Sequence, residues 1–246
     1  MISRNEIKYI KDLSRKSVRF AEGKFVVEGE KLVNELLKSN FEIDGIYATE
    51  LWDNALVSDL TEITEKELAR ISHLKSPNKV LAVVRMPEFW DIEEESKGLT
   101  LFLDRINDPG NLGTIIRMAD WFGVKHIVCT QQSVDVFNSK VIQSSMGSIF
   151  RIPVEYVDGE EFIKEYVAQN PNHPVLGAAM EGTEIGSFDF PEDTLLVMGS
   201  ESHGIDSEIN SLVTQHITIP KFGNAESLNV GVATGVLLWE WKRAKN

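Results

Sequence analysis

The chain has 246 residues, 42% hydrophobic and 26% charged, with a formal net charge of −13. That length and balance fit one large or two small globular domains and exclude a disordered, collagenous or disulfide-rich chain. No apolar run approaches the roughly 18 residues of a membrane span and no hydrophobic leader opens the chain, so a cytoplasmic protein with no membrane partner is expected.

From Met1 to Lys24, seven basic residues (Arg4, Lys8, Lys11, Arg15, Lys16, Arg19, Lys24) stand against three acids (Glu6, Asp12, Glu22), a local charge of +4 on an acidic body. Such a stretch is either a solvated helix face or an arm for a nucleic acid, whose phosphates are met by Lys and Arg. Short strands and helices then alternate. The pattern predicts a strand in FVVEG, a helix over 30–38 with Leu32, Val33, Leu36 and Leu37 inward, a strand in IDGIYAT, a helix over 65–71 and a strand in VLAVVRM. Residues 91–98 are acidic and aperiodic. They read as a linker between a domain of residues 1–90 and a domain of residues 99–246.

The second domain opens on LTLFLDRINDPGNLGTIIRMADWFG, from Leu99 to Gly123. Leu99, Leu101 and Leu103 alternate as in a strand, Asp108-Pro109-Gly110-Asn111 is turn chemistry, and Leu112, Ile115, Ile116, Ala119 and Phe122 recur at helical spacing. The loop therefore lies at a strand's carboxyl end, before a helix N-terminus, where open α/β sheets bind ligands. Further strands are expected at 125–130, 152–156, VLGAAM, TLLVMG and HITIP. Helices are expected near 138–146, around 160–168, after Gly204 and at the C-terminus. Strands alternating with helices imply a mainly parallel sheet.

Cys129 is the single cysteine; it excludes an internal disulfide and reads as a buried core residue. The five histidines show no metal-ligand spacing, so no metal is expected. Gly199-Ser200-Glu201-Ser202-His203 fails as a hydrolase nucleophile elbow, with Glu where Ser is needed and His where Gly is needed. Neither a G-x-G-x-x-G before a helix nor a P-loop is present.

Three stretches, NDPGNLGTIIR (107–117), LLVMGSESHGID (195–206) and ITIPKFGNAESLNVGVATGVLLWEW (217–241), together resemble, in order and spacing, the motifs of the SpoU-type RNA ribose 2′-O-methyltransferases of the SPOUT superfamily. The segment from Arg19 to Leu37 resembles the substrate-binding domain that precedes the catalytic domain in many of these enzymes. The resemblance implies a two-domain α/β fold: a small N-terminal RNA-binding domain and a mainly parallel SPOUT domain with a trefoil knot. It implies S-adenosyl-L-methionine as cofactor and RNA as partner, ribosomal RNA ahead of transfer RNA. A non-catalytic RNA-binding or ribosome-assembly protein on the same fold is the alternative.

By the same resemblance, Asn111, Arg117, Glu201, Ser227 and Asn229 are the polar active-site positions, while Gly177, Ala178, Gly199, Ile219 and Leu228 surround the cofactor. Arg117 leads this set. A guanidinium keeps its proton, which suits holding a phosphate and stabilising charge on the 2′-oxygen better than acting as a base. Glu201 is expected to orient Arg117 or neighbouring backbone. The resemblance also assigns the RNA-binding role to Arg4, Lys8, Lys11, Arg15, Lys16, Arg19 and Lys24. Gly231, where the family pattern has Ser, and Met118, where a threonine is common, are departures; Gly231 lowers helix propensity by roughly 1 kcal/mol. In the final helix Leu228, Val232, Gly235, Val236 and Trp239 form one apolar stripe and Val230, Ala233, Leu237 and Trp241 a second. A helix apolar on two sides needs two neighbours, and a homodimer is expected.

Overall fold

The computed structural model describes residues 2–50, 52, 57–88 and 98–244; the linker expected at 91–98 lies outside them except for Gly98. Two compact units emerge: Met1–Phe89 with Asp135–Arg151, and Trp90–Val134 with Ile152–Asn246.

The first unit begins with helices α1 (Arg4–Asp12) and α2 (Lys16–Glu22). Ser3 and Glu6 close a reciprocal capping box at the start of α1. Then follow β1 (Lys24–Glu28), α3 (Glu30–Leu36), β2 (Ile43–Ala48), β3 (Thr61–Glu62), α4 (Glu65–Ile71) and β4 (Val80–Arg85). The sheet runs β1-β4-β2-β3, with β4 antiparallel to both β1 and β2. Ile7 and Ile10 of α1, Leu68 and Ile71 of α4, and Val26, Leu81 and Val83 of the sheet share one buried core.

The second unit contains β5 (Leu99–Leu103), α5 (Pro109–Phe122) and β6 (His126–Thr130). The chain then supplies α6 (Ser139–Ser145) to the first unit and returns with β7 (Val154–Val157), α7 (Gly159–Gln169), β8 (Val175–Glu184), β9 (Thr194–Met198), α8 (Ser207–Asn210), β10 (Gln215–Thr218) and α9 (Val230–Arg243). The six strands, ordered β10-β8-β9-β5-β6-β7, pair in parallel throughout. Strands buried along their whole length, such as β6 and β9, explain the continuous apolar runs of the sequence. Cys129 lies fully buried in β6, and burial raises its thiol pKa.

The helix expected near 138–146 is present as α6, but it packs with the first unit and not with the sheet that surrounds it in sequence. Its approach is anchored by Asp135, which pairs with the buried Arg19 guanidinium. The Phe137 ring adds an apolar contact 4.6 Å from that of Phe25. Gln143 donates to the carbonyl of Glu28 at 3.0 Å.

α5 and α9 lie side by side. Cβ atoms built at Gly231 and Gly235 would meet Thr114 at 3.2 Å and Met118 at 3.5 Å. The four-residue step is the same on both helices, so they run in parallel with their N-termini together. Gly231 is thus a close-approach position between two helices, which offsets its poor intrinsic propensity.

Candidate active site

Three loops at the carboxyl ends of β5, β9 and β10 meet above the parallel sheet. The first reaches α5 through Asp108, whose side chain accepts from the Asn111 N–H at 2.9 Å and leaves Asn111 in the first helical turn. The second is a tight return from Gly199 to Gly204, in which Ser200 and Gly204 exchange backbone hydrogen bonds at 3.0 and 2.8 Å. Any Cβ on Gly199 would overlap the backbone of Gly204 and Ile205. The third runs from residue 219 to Asn229, the N-cap of α9, whose Oδ1 accepts from the N–H groups of Gly231 and Val232 at 3.0 and 3.3 Å.

One carboxylate ties these loops together. Glu201 Oε1 accepts from Asn111 Nδ2 at 3.0 Å, Asn229 Nδ2 at 2.7 Å and the Val230 N–H at 3.2 Å. Asn229 Nδ2 also donates to Asn111 Oδ1 at 2.9 Å. Because Asn229 Oδ1 is committed to the helix cap, its amide has only one orientation that serves all these contacts. A negative charge at the paired N-termini of α5 and α9 is favoured by both helix dipoles.

Beside this network lies a cavity of about 380 Å³. Its apolar wall includes Met198, Ile217, Ile219, Leu228 and Leu237; Ser200, Glu201, Thr218 and Ser227 add polar groups, and among the described residues Lys221 is the only basic one of the wall. Part of the wall comes from a break in strand pairing. β10 pairs His216 with Gly177 and then Ile217 with Thr183, so the ladder passes over residues 178–182. Ala178, Ala179 and Met180, within that excursion, line the cavity.

Of the residues expected around a cofactor, Ala178, Gly199, Ile219 and Leu228 lie on this wall. Gly177 does not. It is buried on the far side, where a Cβ would meet Val213 and Ile205, because adjacent residues of a strand face opposite ways. Asn111, Glu201 and Asn229 form the network and Ser227 joins the wall, whereas Arg117 stands apart. Six residues along α5 from Asn111, roughly 9 Å at the helical rise, it is exposed and pairs with no carboxylate among the described residues. Glu201 therefore orients the two asparagines and the α9 backbone rather than Arg117.

The basic set also divides. Arg4, Lys8, Lys11 and Lys16 are exposed. Arg19 is only 3% exposed, with its guanidinium spent on Asp135 and on the carbonyls of Leu13 and Ser14. Lys24 is tied to Asp44 at 2.7 Å, which raises its pKa, and Arg15 to Asp12 at 2.9 Å. Arg19 is thus a structural cation, and the arm offers a nucleic acid fewer charges than its composition suggests. Among the described residues no cluster of His, Cys, Asp and Glu could hold a metal, and no helix is long and apolar enough to cross a membrane.

Residues 98–239 match the SpoU rRNA Methylase family. The chain belongs to that family. Residues 4–82 match the MRM3-like substrate binding domain. Among SpoU relatives, the 23S rRNA (guanosine(2553)-2′-O)-methyltransferase RlmP of Bacillus subtilis (strain 168) is 31% identical over 95% of this chain and 94% of its own. The tRNA (guanosine(18)-2′-O)-methyltransferase of Aquifex aeolicus (strain VF5) is 29% identical, but over 63% of this chain and 73% of its own. An AdoMet-bound SpoU-like structure, the rRNA methyltransferase from Sinorhizobium meliloti, superposes with a TM-score of 0.85 at 28% identity, covering 99% of this chain and 97% of that one. The matched span, residues 98–239, contains all three loops that meet at Glu201.

Proposed function

We propose that the protein transfers a methyl group from S-adenosyl-L-methionine to a ribose 2′-hydroxyl of large-subunit ribosomal RNA. The observation that carries this reading is the joining of Asn111, Glu201 and Asn229, one from each motif, at the rim of a cavity above the carboxyl edge of a parallel sheet. The cavity falls within the roughly 300–1,000 Å³ of ligand pockets, and its mix of apolar walls with loop backbone suits an adenosyl group. Ala178, Gly199, Ile219 and Leu228 would hold that group, which supplies an electrophilic methyl carbon. Asn111 and Ser227 hold the ribose by hydrogen bonds, while Asn229, whose amide is fully committed, holds the loops in place. Arg117, without a carboxylate partner among the described residues, holds a phosphate of the RNA and stabilises the charge that grows on the 2′-oxygen as its proton passes to solvent and S-adenosylhomocysteine leaves.

Ribosomal RNA is favoured over transfer RNA because the ribosomal RNA enzyme RlmP aligns over both halves of the chain, whereas the transfer RNA enzyme aligns over less than two thirds of it. The domains are then 1–90 for substrate binding and 99–246 for methyl transfer, except that residues 135–151 pack with the first; the second carries a trefoil knot. The RNA-binding face of the first is narrowed to Arg4, Lys8, Lys11 and Lys16. Two copies pair through α9, where Val232 and Trp239 are exposed, and through Trp121 of α5, which is 81% exposed; Leu228 precedes the helix, so the stripe expected from it begins at Val232. Light scattering then gives about twice the 27.7 kDa chain mass.

The reading is tested by calorimetric titration with S-adenosylmethionine and by mapping 2′-O-methyl groups in ribosomal RNA from a deletion strain with and without added protein. Binding and one restored methyl group are expected. No binding at millimolar cofactor would leave the non-catalytic RNA-binding alternative.

A further inference from the structure

The third loop of the cavity presents an aromatic ring to water. Phe222 is 97% exposed, the largest exposure of any large apolar side chain among the described residues. It belongs to the cavity wall, as does Lys221. Among the described residues, no backbone hydrogen bond involves residues 219–228. A phenyl ring held in solvent forgoes the burial that ordinarily governs the placement of aromatics. At the rim of a binding site such a ring is available to an incoming partner.

The partner's chemistry follows from the neighbours. Lys221 directly precedes Phe222 and shares the cavity wall with it, a positive charge in a chain of net charge −13. An aromatic face adjoining a flexible cation suits a nucleotide, whose base stacks on the ring while its phosphate meets the ammonium. The adenine of the cofactor is the less suitable occupant, because Ile217, Ile219, Leu228 and Leu237 already provide apolar surface within the cavity.

Resting on the reading of the protein as an RNA methyltransferase, we propose that Phe222 is a substrate-contact residue: the platform on which an unstacked base of the RNA lies while the ribose is held at the cavity. Lys221 assists by contacting phosphate. The loop, free of backbone ties, closes onto the strand as the base arrives.

The test uses the full chain, S-adenosylmethionine and large-subunit ribosomal RNA from a deletion strain. Wild type, Phe222→Ala and Phe222→Tyr are compared by single-turnover methylation across RNA concentration, by equilibrium RNA binding, and by calorimetry with the cofactor. Phe222→Ala is expected to raise the half-saturating RNA concentration roughly ten- to hundredfold, as loss of one stacked base does. Its cofactor Kd stays within about twofold, and Phe222→Tyr restores RNA affinity. Unchanged RNA dependence in Phe222→Ala, or a loss confined to cofactor affinity, would overturn the proposal. If wild type methylates no RNA, the enzymatic reading fails instead, and equilibrium binding of the same RNA still decides the role of Phe222.

Discussion

The two loops that frame the cavity are built in opposite ways. Residues 199–204 return on themselves through a backbone bridge, leave no room for a Cβ at Gly199, and present a carboxylate whose Oε1 accepts three hydrogen bonds. Residues 219–228 make no backbone hydrogen bonds among the described residues and present Phe222 to solvent. One wall fixes geometry and the other adapts. A transferase that must align a hydroxyl with a methyl donor, yet admit a bulky RNA, needs both properties, since alignment depends on preorganised groups and entry on movable ones.

The contrast can be broken most severely at Gly199. Gly199→Ala forces apart the backbone of Gly204 and Ile205, and cofactor affinity should fall by about a hundredfold or more, with a lower Tm. Calorimetry and thermal melts of the variant measure both. Arg117 belongs to the open side of the comparison, having no carboxylate partner to lose. Arg117→Ala should lower single-turnover methyl transfer about a hundredfold without changing Tm; a rate within threefold of wild type removes it from the mechanism.

Acid provides a control that acts on the sheet rather than on either loop. Burial pushes the His126 imidazole at the start of β6 down to about 4, with Glu155 Oε2 3.4 Å away as its nearest acid. A lowered folded pKa means that the unfolded chain takes up the proton first. The stability from this group is intact above about pH 6.5 and is lost as pH falls toward 4, a decline of roughly 2–3 kcal/mol. Urea midpoints should show a shallower pH dependence in His126→Phe than in wild type.

Glu201→Ala leaves Val230 N–H and two side-chain amides without their acceptor, but water can replace it at this exposed position. The methyl-transfer rate should drop about tenfold. At the small end is Gly223→Ala in the open loop, where a Cβ meets nothing within 4 Å. Its cofactor affinity should change by less than about threefold. An effect as large as that of Gly199→Ala would erase the distinction between the walls.

Much of the closed side was legible in the sequence. Polar residues at strand ends have few places to go in a parallel sheet, so Asn111 and Glu201 fall together because β5 and β9 are adjacent, whereas Asn229 reaches them from the N-terminus of α9, which packs beside α5. Charge pairing was not legible: Arg19 counts toward the basic arm, yet its partner is Asp135, 116 residues away. Nor was the assignment of α6, because the same buried pair anchors the approach to that helix. Gly177 illustrates a finer limit, in that membership of a cavity-lining strand does not say which face a residue takes. Helix propensity alone marks Gly231 as a weakness; only the packing of α5 against α9 reveals it as the contact that lets the two N-termini converge.

The interruption between β8 and β10 separates two demands that a strand ordinarily couples. Pairing resumes at Ile217 and Thr183, and residues 178–182 have no ladder partner, touching β10 only through such contacts as Thr218 Oγ1 donating to the Met180 carbonyl at 3.1 Å, so the chain's length there is not dictated by the ladder on either side. Insertions and deletions confined to this excursion can reshape the cavity while the flanking pairs, Gln215 with Leu176 and Thr218 with Glu184, keep their partners. The protein thereby holds a segment whose length evolution can vary at the edge of an otherwise rigid sheet, a natural place for diversification of the pocket without renegotiation of the fold.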